Sequence, residues 1–337
     1  MSGLSMDEIE KGLKSLPRRP HVVILGAGAS VATIPNGDKY GRKISVMDGF
    51  IDNLGLRGIL SGIEFESENL EDIYSKLSEH PEYDDKRQQL EDAIREYFSQ
   101  LRLPDEPTIY DLLLLSLKGK DAIATFNWDP LLAEAYSRCQ NITRRLPQMF
   151  FLHGNVGIKL CMKDKKVYLK DRNVCPVCNG RLVSSKLLYP VRHKDYNVDP
   201  YIKNQWEVFR WYLSQAYIIT IFGYSAPDTD VEAVALLKNA WGENKKHPLE
   251  QIEIIDIKRH DDLFEKWEDF IFVDHATTMT SFEDSILARS PRRSTEDFYE
   301  ETIEGNWLDY TNRIKQGMAW SQLQKHFEPI LLEEKTH

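Results

Sequence analysis

Apolar positions follow two periods along the chain, and their alternation predicts the architecture. Short, largely apolar runs read as strands buried on both faces. They occur at residues 21–25, 122–126, 149–152, 217–222, 251–256 and 270–273. Elsewhere apolar residues recur three or four apart, the spacing of an amphipathic helix. Residues 5–16 read as a short helix, with Ser5 and Glu8 as a capping box, Ile9 and Leu13 on one face and Pro17 as its stop. Residues 46–120 read as mostly helical. Asn69 caps a segment carrying Ile73 and Leu77, residues 89–101 carry Leu90, Ile94, Tyr97 and Phe98, and residues 112–117 form a third helix. Further helices are expected at 130–137, 208–214 and 230–241. Strands alternating with helices predict an α/β fold, a Rossmann-like parallel sheet with helices on both faces.

Two stretches break this alternation. Over residues 158–192 lysines, arginines and cysteines alternate with single hydrophobics, as in short hairpins around a metal, which predicts a small zinc-ribbon-like insertion. Beyond residue 281 the chain turns polar, with a basic turn at 290–294 and a helix near 320–327. The predicted organisation is a main unit over 1–280, carrying a helical insertion at about 46–120 and the cysteine module at about 158–192. A C-terminal helical extension follows over 281–337.

Composition narrows the function classes. Hydrophobic residues are 42% and charged residues 28% of the 337, which is globular rather than disordered. The longest apolar runs, near 112–115 and 217–222, fall far short of the ~20 residues of a membrane span, and no apolar leader is visible near Met1, so no membrane association is expected. Acidic residues outnumber Lys and Arg by 53 to 43, which argues against direct nucleic-acid binding. Of four cysteines, Cys161, Cys175 and Cys178 cluster while Cys139 lies in a helical stretch as an expected buried thiol. Clustering of this kind points to metal rather than to disulfides, and places the chain in the cytoplasm.

Candidate chemistry collects where predicted strands end, the edge at which parallel sheets bind ligands. Gly26, Ala27, Gly28 and Ser30 follow the first strand. Glycines there let backbone N–H groups approach a diphosphate, or simply allow a tight turn; the third glycine of the usual dinucleotide fingerprint is missing. Thr125, Asn127 and Asp129 follow the second strand, as ligand contacts or as helix caps before Pro130. His153 and Gly154 follow the third, Gly223 and Ser225 the fourth, and Asp256 the fifth. Asp228 or Asp230 would cap the helix after the fourth strand. Cys175 and Cys178, three apart with Gly180 beyond, form a zinc-knuckle pattern; a metal-free hairpin is the alternative.

The order of these motifs resembles the sirtuin family. The resemblance runs over roughly residues 20–275 and rests on Gly26 to Ser30 with Ile34, Pro35 and Asn36, then Thr125 to Asp129, His153 and Gly154, the cysteine segment, and Gly223 to Ser225. It implies that Gly26, Ala27, Gly28 and Ser30 bind the NAD diphosphate and that Asn127 and Asp129 face the nicotinamide ribose. Thr125, Gly223, Ser225 and Asp256 would complete the cofactor site, and His153 would be the catalytic base. Sirtuins carry two cysteine pairs; here Cys161 has Asp164 where its partner would stand, and Asp164, His193 or water would complete a structural zinc site.

The departures set the subclass that the resemblance implies. Phe126 stands where deacylating sirtuins have glutamine, the segment 189–196 replaces their peptide-groove motif, and Tyr224 interrupts their Gly-Thr-Ser. These variants resemble the bacterial sirtuin-like domains of antiphage defence, which hydrolyse NAD. The expected activity is NAD+ glycohydrolysis to nicotinamide and ADP-ribose, with Asn127, His153 and Asp129 as catalytic residues. A homo-oligomer or a partner subunit of a defence system is expected to restrain it. An NAD-dependent lysine deacylase and a non-catalytic nucleotide-sensing or scaffold module are the alternatives.

Overall fold

The computed structural model describes residues 6–45, 49–169, 171–189, 199–226, 230–242, 249–267, 270 and 276–336. Its strands are β1 His21–Leu25, β2 Ala122–Thr125, β3 Gln148–Phe151, β4 Ile158–Cys161, β5 Lys166–Leu169, β6 Val183–Ser184, β7 Ile218–Phe222, β8 Gln251–Ile255 and β9 Ala276–Met279. The helices that matter below are α1 Met6–Ser15, α2 Ala27–Thr33, α3 Phe50–Asn53, α4 Leu70–Glu79, α5 Asp84–Gln100, α6 Ile109–Ser116, α7 Leu131–Cys139, α8 Pro200–Gln215, α9 Val231–Trp241, α10 His260–Trp267, α11 Ile286–Arg289, α12 Ser294–Thr302 and α13 Trp320–Thr336.

Six strands form one parallel sheet in the order β3-β2-β1-β7-β8-β9. All five residues of β1 and of β7 are buried, as they must be in a sheet covered on both sides. Alternate residues feed two cores. Val23 and Leu25 face the helices of the 50–139 region and the C-terminal segment, while Val22 and Ile24 face α8, α9 and α10. Successive strands are added on one side of β1 up to β3 and on the other side from β7 onward. The strand order therefore reverses between β1 and β7, the place where such sheets form a crevice at their carboxyl ends. Among the described residues no helix is long and apolar enough to cross a membrane.

The insertion is helical as expected, and α6 is its innermost element. It begins with a capping box in which Thr108 and Asp111 bond reciprocally, and all eight of its residues are buried. The cysteine module is a three-stranded antiparallel sheet, β5-β4-β6. Helix α8 begins eight residues before the expected 208–214 segment because Asp199 caps it, accepting from Tyr201 N and Ile202 N, with Pro200 in its first turn.

Three expectations need correction or lie out of view. The sixth strand is Ala276–Met279 and not 270–273. Phe270 is buried for a different reason, packing against Trp241 and Trp267 after α10, and residues 271–273 lie outside the described residues. The true edge strand is half-exposed and threonine-rich, so it lacks the all-apolar signature. Ser5, His193, Asp228 and most of the 189–196 segment also lie outside the described residues. The basic turn at 290–294 is interior: Arg292 is 2% exposed, and its guanidinium donates to Leu117 O at 2.8 Å and pairs with Glu334 Oε2 at 2.7 Å. Ile314, Leu323 and Phe327, from the same C-terminal segment, are fully buried in the core they share with α6.

Candidate active site and metal centre

At the carboxyl edge of β1 and β2 four side chains form one buried hydrogen-bonded knot. Asn127 Nδ2 donates to Gly26 O and to Ser30 Oγ, both at 2.8 Å, with the Tyr110 hydroxyl 3.2 Å away. A carbonyl can only accept, so the contact with Gly26 O fixes which end of the amide is nitrogen. Both amide hydrogens are thereby committed inward, and Oδ1 is what Asn127 offers a ligand. Ser30 Oγ donates to Asp129 Oδ2 at 2.7 Å, leaving its lone pairs for Asn127 and for the Tyr110 hydroxyl at 2.7 Å. The hydroxyl has no capacity to spare.

Asp129 does two jobs. Oδ1 accepts from Leu131 N at 3.1 Å and starts α7, while Oδ2 receives Ser30. Its carboxyl is pushed up to about 6, because burial outweighs the hydrogen bonds from Ser30 and Leu131 that stabilise the ionised form. Burial and the neighbouring Asp129 hold the Tyr110 hydroxyl protonated, well above the usual phenol range. Thr125 Oγ1 accepts from Asn127 N at 3.0 Å. Asn155, fully buried, donates to Asn127 O at 3.1 Å and Asp129 O at 2.6 Å, so the loop after β3 clamps the loop after β2.

The neighbouring residue points the other way. Phe126 packs in the core of the opposite sheet face, stacked on Tyr224 with centroids 4.3 Å apart and planes 14° apart. The His153 ring meets the Phe126 ring edge-on at 4.8 Å and is 5% exposed. Its Nε2 lies 3.8 Å from Asp230 Oδ1, and the Tyr224 hydroxyl donates to Asp230 Oδ2 at 3.0 Å. Asp230 precedes α9 but its side chain makes no capping hydrogen bond there, so helix capping does not explain it.

The glycines have a clear packing reason. Gly28 N donates to Gly223 O at 2.9 Å. A Cβ on Gly26 would stand 2.4 Å from Gly223 O, and one on Gly223, at φ +58°, would stand 2.3 Å from Ala29 N. The turns after β1 and β7 are thus in backbone contact across the switch point, and Ala27 and Gly28 remain exposed above it. Ser225 and Asp256 are half-buried at the ends of β7 and β8. Asp256 Oδ1 accepts from Lys258 N at 3.0 Å, and no side-chain contact joins it to the Asn127 knot.

The structure therefore brings together Gly26, Ser30, Thr125, Asn127 and Asp129, and sets His153 beside Phe126. Tyr110, Asn155, Tyr224 and Asp230 belong to the same edge and were missed as site residues from the sequence. Tyr110 is hidden in an apolar helix. Asn155, two residues past His153, carried a readable signal as a polar residue at a strand's end.

In the cysteine module Cys161, Asp164, Cys175 and Cys178 each bring one ligand atom within 4.8 Å of all the others. Cys161 and Cys178 Sγ are 3.5 Å apart, and Asp164 Oδ2 is 3.0 Å from Cys175 Sγ and 3.4 Å from Cys161 Sγ. Tetrahedral zinc with Zn–S of about 2.3 Å requires sulfur atoms roughly 3.8 Å apart, so this group fits zinc with little adjustment. Val177 N and Asp164 N donate to Cys175 and Cys161 Sγ, which holds those sulfur atoms in place and eases the negative charge of thiolate ligands. A closed set of four protein ligands is a structural site. Cys139 is buried at the end of α7, away from this group, and burial pushes its thiol up.

The class these features define is a Rossmann-like α/β fold with a metal-binding hairpin module. No protein-family model matches the chain, and no curated protein does. Among solved structures it is similar to a Sir2 homolog in complex with NAD, at 14% identity over 90% of this chain and 97% of that one, with a TM-score of 0.42. A Sir2 homologue in complex with ADP-ribose gives 12% identity over 89% and 99%, with a TM-score of 0.41. Sir2 with a p53 peptide and NAD+ gives 16% over 90% and 99%, with a TM-score of 0.37.

Proposed function

We propose that this chain is a sirtuin-like NAD+ glycohydrolase that converts NAD+ and water to nicotinamide, ADP-ribose and a proton, and that it serves as an NAD-depleting effector in bacterial antiphage defence. The observation that carries the reading is the fixed orientation of Asn127. Its amide hydrogens are spent on Gly26 and Ser30, so a single acceptor oxygen is presented at the strand-end crevice. An acceptor is what a ribose hydroxyl or an attacking water needs in order to be oriented.

The C1′–nitrogen bond breaks with its electron pair leaving on nicotinamide, and positive charge develops on the ribose. Asn127 Oδ1 positions the water whose oxygen then bonds to C1′. His153 takes the water's proton, directly or through a ribose hydroxyl, and releases it to solvent. Asp129 holds Ser30, and through it Asn127, and supplies negative charge near the developing cation. Ala27 and Gly28 expose the turn for the diphosphate, although the Gly28 amide is already committed to Gly223 O, so other donors must carry that contact. Zinc on Cys161, Asp164, Cys175 and Cys178 would cross-link the hairpins.

Hydrolysis is favoured over deacylation by the aromatic cover. Phe126, at the position where deacylating sirtuins have glutamine, is packed in the core beside His153 and stacked face to face on Tyr224. Chromatography of NAD+ incubated with the protein tests the reading. Wild type should release nicotinamide and ADP-ribose, and Asn127→Ala and His153→Ala should each lose roughly 100-fold or more while still folding, as a cooperative thermal transition shows. Undiminished turnover in both variants would sink the assignment. Consumption of an acyl-lysine peptide in step with NAD+ would establish a deacylase instead.

A further inference from the structure

We propose that Asp230 is a positioning residue that holds His153 as a charge-paired base and is itself locked by Tyr224. The inference rests on His153 being the base of the proposed reaction and goes beyond it by naming what orients that base. Both side chains are nearly shut off from solvent, each 6% exposed, with Nε2 and Oδ1 3.8 Å apart. At this distance the carboxylate and the ring form an ion pair whenever the ring carries its second proton. Asp230 stands at the N-cap of α9, yet its side chain makes no capping hydrogen bond there and its carboxylate accepts from the Tyr224 hydroxyl at 3.0 Å.

The arrangement is held from three sides. Phe126 presses on the His153 ring edge and stacks on the Tyr224 ring, so one aromatic row fixes both the imidazole and the phenol that carries Asp230. Trp206 of α8 packs on Phe126 at 6.0 Å and donates its Nε1–H to Leu152 O at 3.2 Å, next to His153 in the chain. Among the described residues, Asp230 faces the ring and the Tyr224 hydroxyl bonds to Asp230. A carboxylate facing one ring nitrogen orients the ring and stabilises the imidazolium that forms once the proton is taken.

The test pairs kinetics with an independent titration. In Asp230→Asn, kcat for NAD+ cleavage should fall at least ~10-fold with KM nearly unchanged, and the acidic limb of the kcat–pH profile should move down by about one pH unit. Tyr224→Phe should do the same more weakly, and Asp230→Glu should restore part of the rate. Proton NMR of the His153 ring in the uncatalysed protein should show its titration midpoint falling by about one pH unit in Asp230→Asn. That readout needs no turnover, so it separates this inference from the hydrolase reading. An unchanged His153 midpoint in both Asp230→Asn and Tyr224→Phe overturns the proposal, whether or not NAD+ is cleaved.

Discussion

Ser30→Ala removes one hydroxyl and should unmake the polar knot in a way that depends on pH. The hydroxyl is 1% exposed and takes part in three hydrogen bonds, with Asp129, Tyr110 and Asn127. Stranding a buried charged partner costs roughly 1.5–3 kcal/mol and the neutral bonds about 1 kcal/mol together, so the expected loss at neutral pH is about 2.5–4 kcal/mol. With an unfolding entropy of roughly 2 cal/mol/K per residue, that is about 3–6 °C in Tm for this chain. The sign of the pH dependence follows from Asp129. Burial raises its carboxyl from 3.8 to about 6, so between those values the native state keeps a proton the unfolded chain has released, and stability falls as pH rises through that window. Ser30 opposes the shift by donating to the ionised carboxylate. Without it the native carboxyl titrates higher still, and stability keeps falling above pH 6. The Tm deficit of Ser30→Ala against wild type should therefore be larger at pH 8 than at pH 5. Calorimetry at both values decides the matter, and an equal deficit at the two pH values refutes the hub assigned to Ser30.

Three further outcomes follow from the same structure. The purified protein should hold ~1 zinc per chain by elemental analysis, and Asp164→Ala should surrender it to a chelator at lower concentration than wild type. Gly154→Ala should lower Tm by several degrees or prevent folding, because Gly154 has φ +76° and its Cβ would stand 1.7 Å from Lys186 O. Glu253, buried between Thr220 and the Ile286 amide, is raised from 4.5 to about 7, so its contribution to stability is lost as pH rises between those values. Glu253→Gln should flatten that part of the Tm–pH curve, and an unchanged slope would rule the group out as its source.

The six-stranded parallel sheet was legible because β1, β2 and β7 are wholly buried and β8 nearly so, which keeps their runs mostly apolar, and because the edge strand β3 ends on the buried pair Phe150 and Phe151. The sixth strand was not, since an edge strand needs apolar residues on one side only, and Ala276–Met279 spends three of its positions half-exposed. Apolar content at Phe270 was a true signal of burial and a false one of strand. The candidate site divides the same way. Residues just past strand ends, Asn127, Asp129 and His153, stood out by position. Asp164 stood out by spacing from Cys161. Tyr110 could not, because its role depends on a helix from a distant insertion lying across the turn after β1, and no local pattern encodes that placement. Asp230 looked like a helix cap, and only its hydrogen-bond partner, the Tyr224 hydroxyl rather than an amide of α9, distinguishes it from one.

That helix also ties the site to the end of the chain. Tyr110 sits in the first turn of α6, where Arg138 of α7 grips the capping Asp111, donating Nε to Oδ1 at 3.1 Å. At the other end of α6, Arg292 enters from the C-terminal segment. Its amide donates to Ser116 O at 2.6 Å and its guanidinium to Leu117 O, so the carbonyls a helix end leaves unpaired are met by a buried cation. Glu334 of α13 neutralises that cation. Removing one partner of such a buried pair strands the other charge, at a cost of about 3–5 kcal/mol. Both ends of the helix that carries Tyr110 to Ser30 and Asn127 are thus fixed by charges from elsewhere in the chain, one of them more than 170 residues away. The rigidity of the Asn127 amide is a property of the whole α6 face, including its C-terminal cover, and not of the strand-end motif alone.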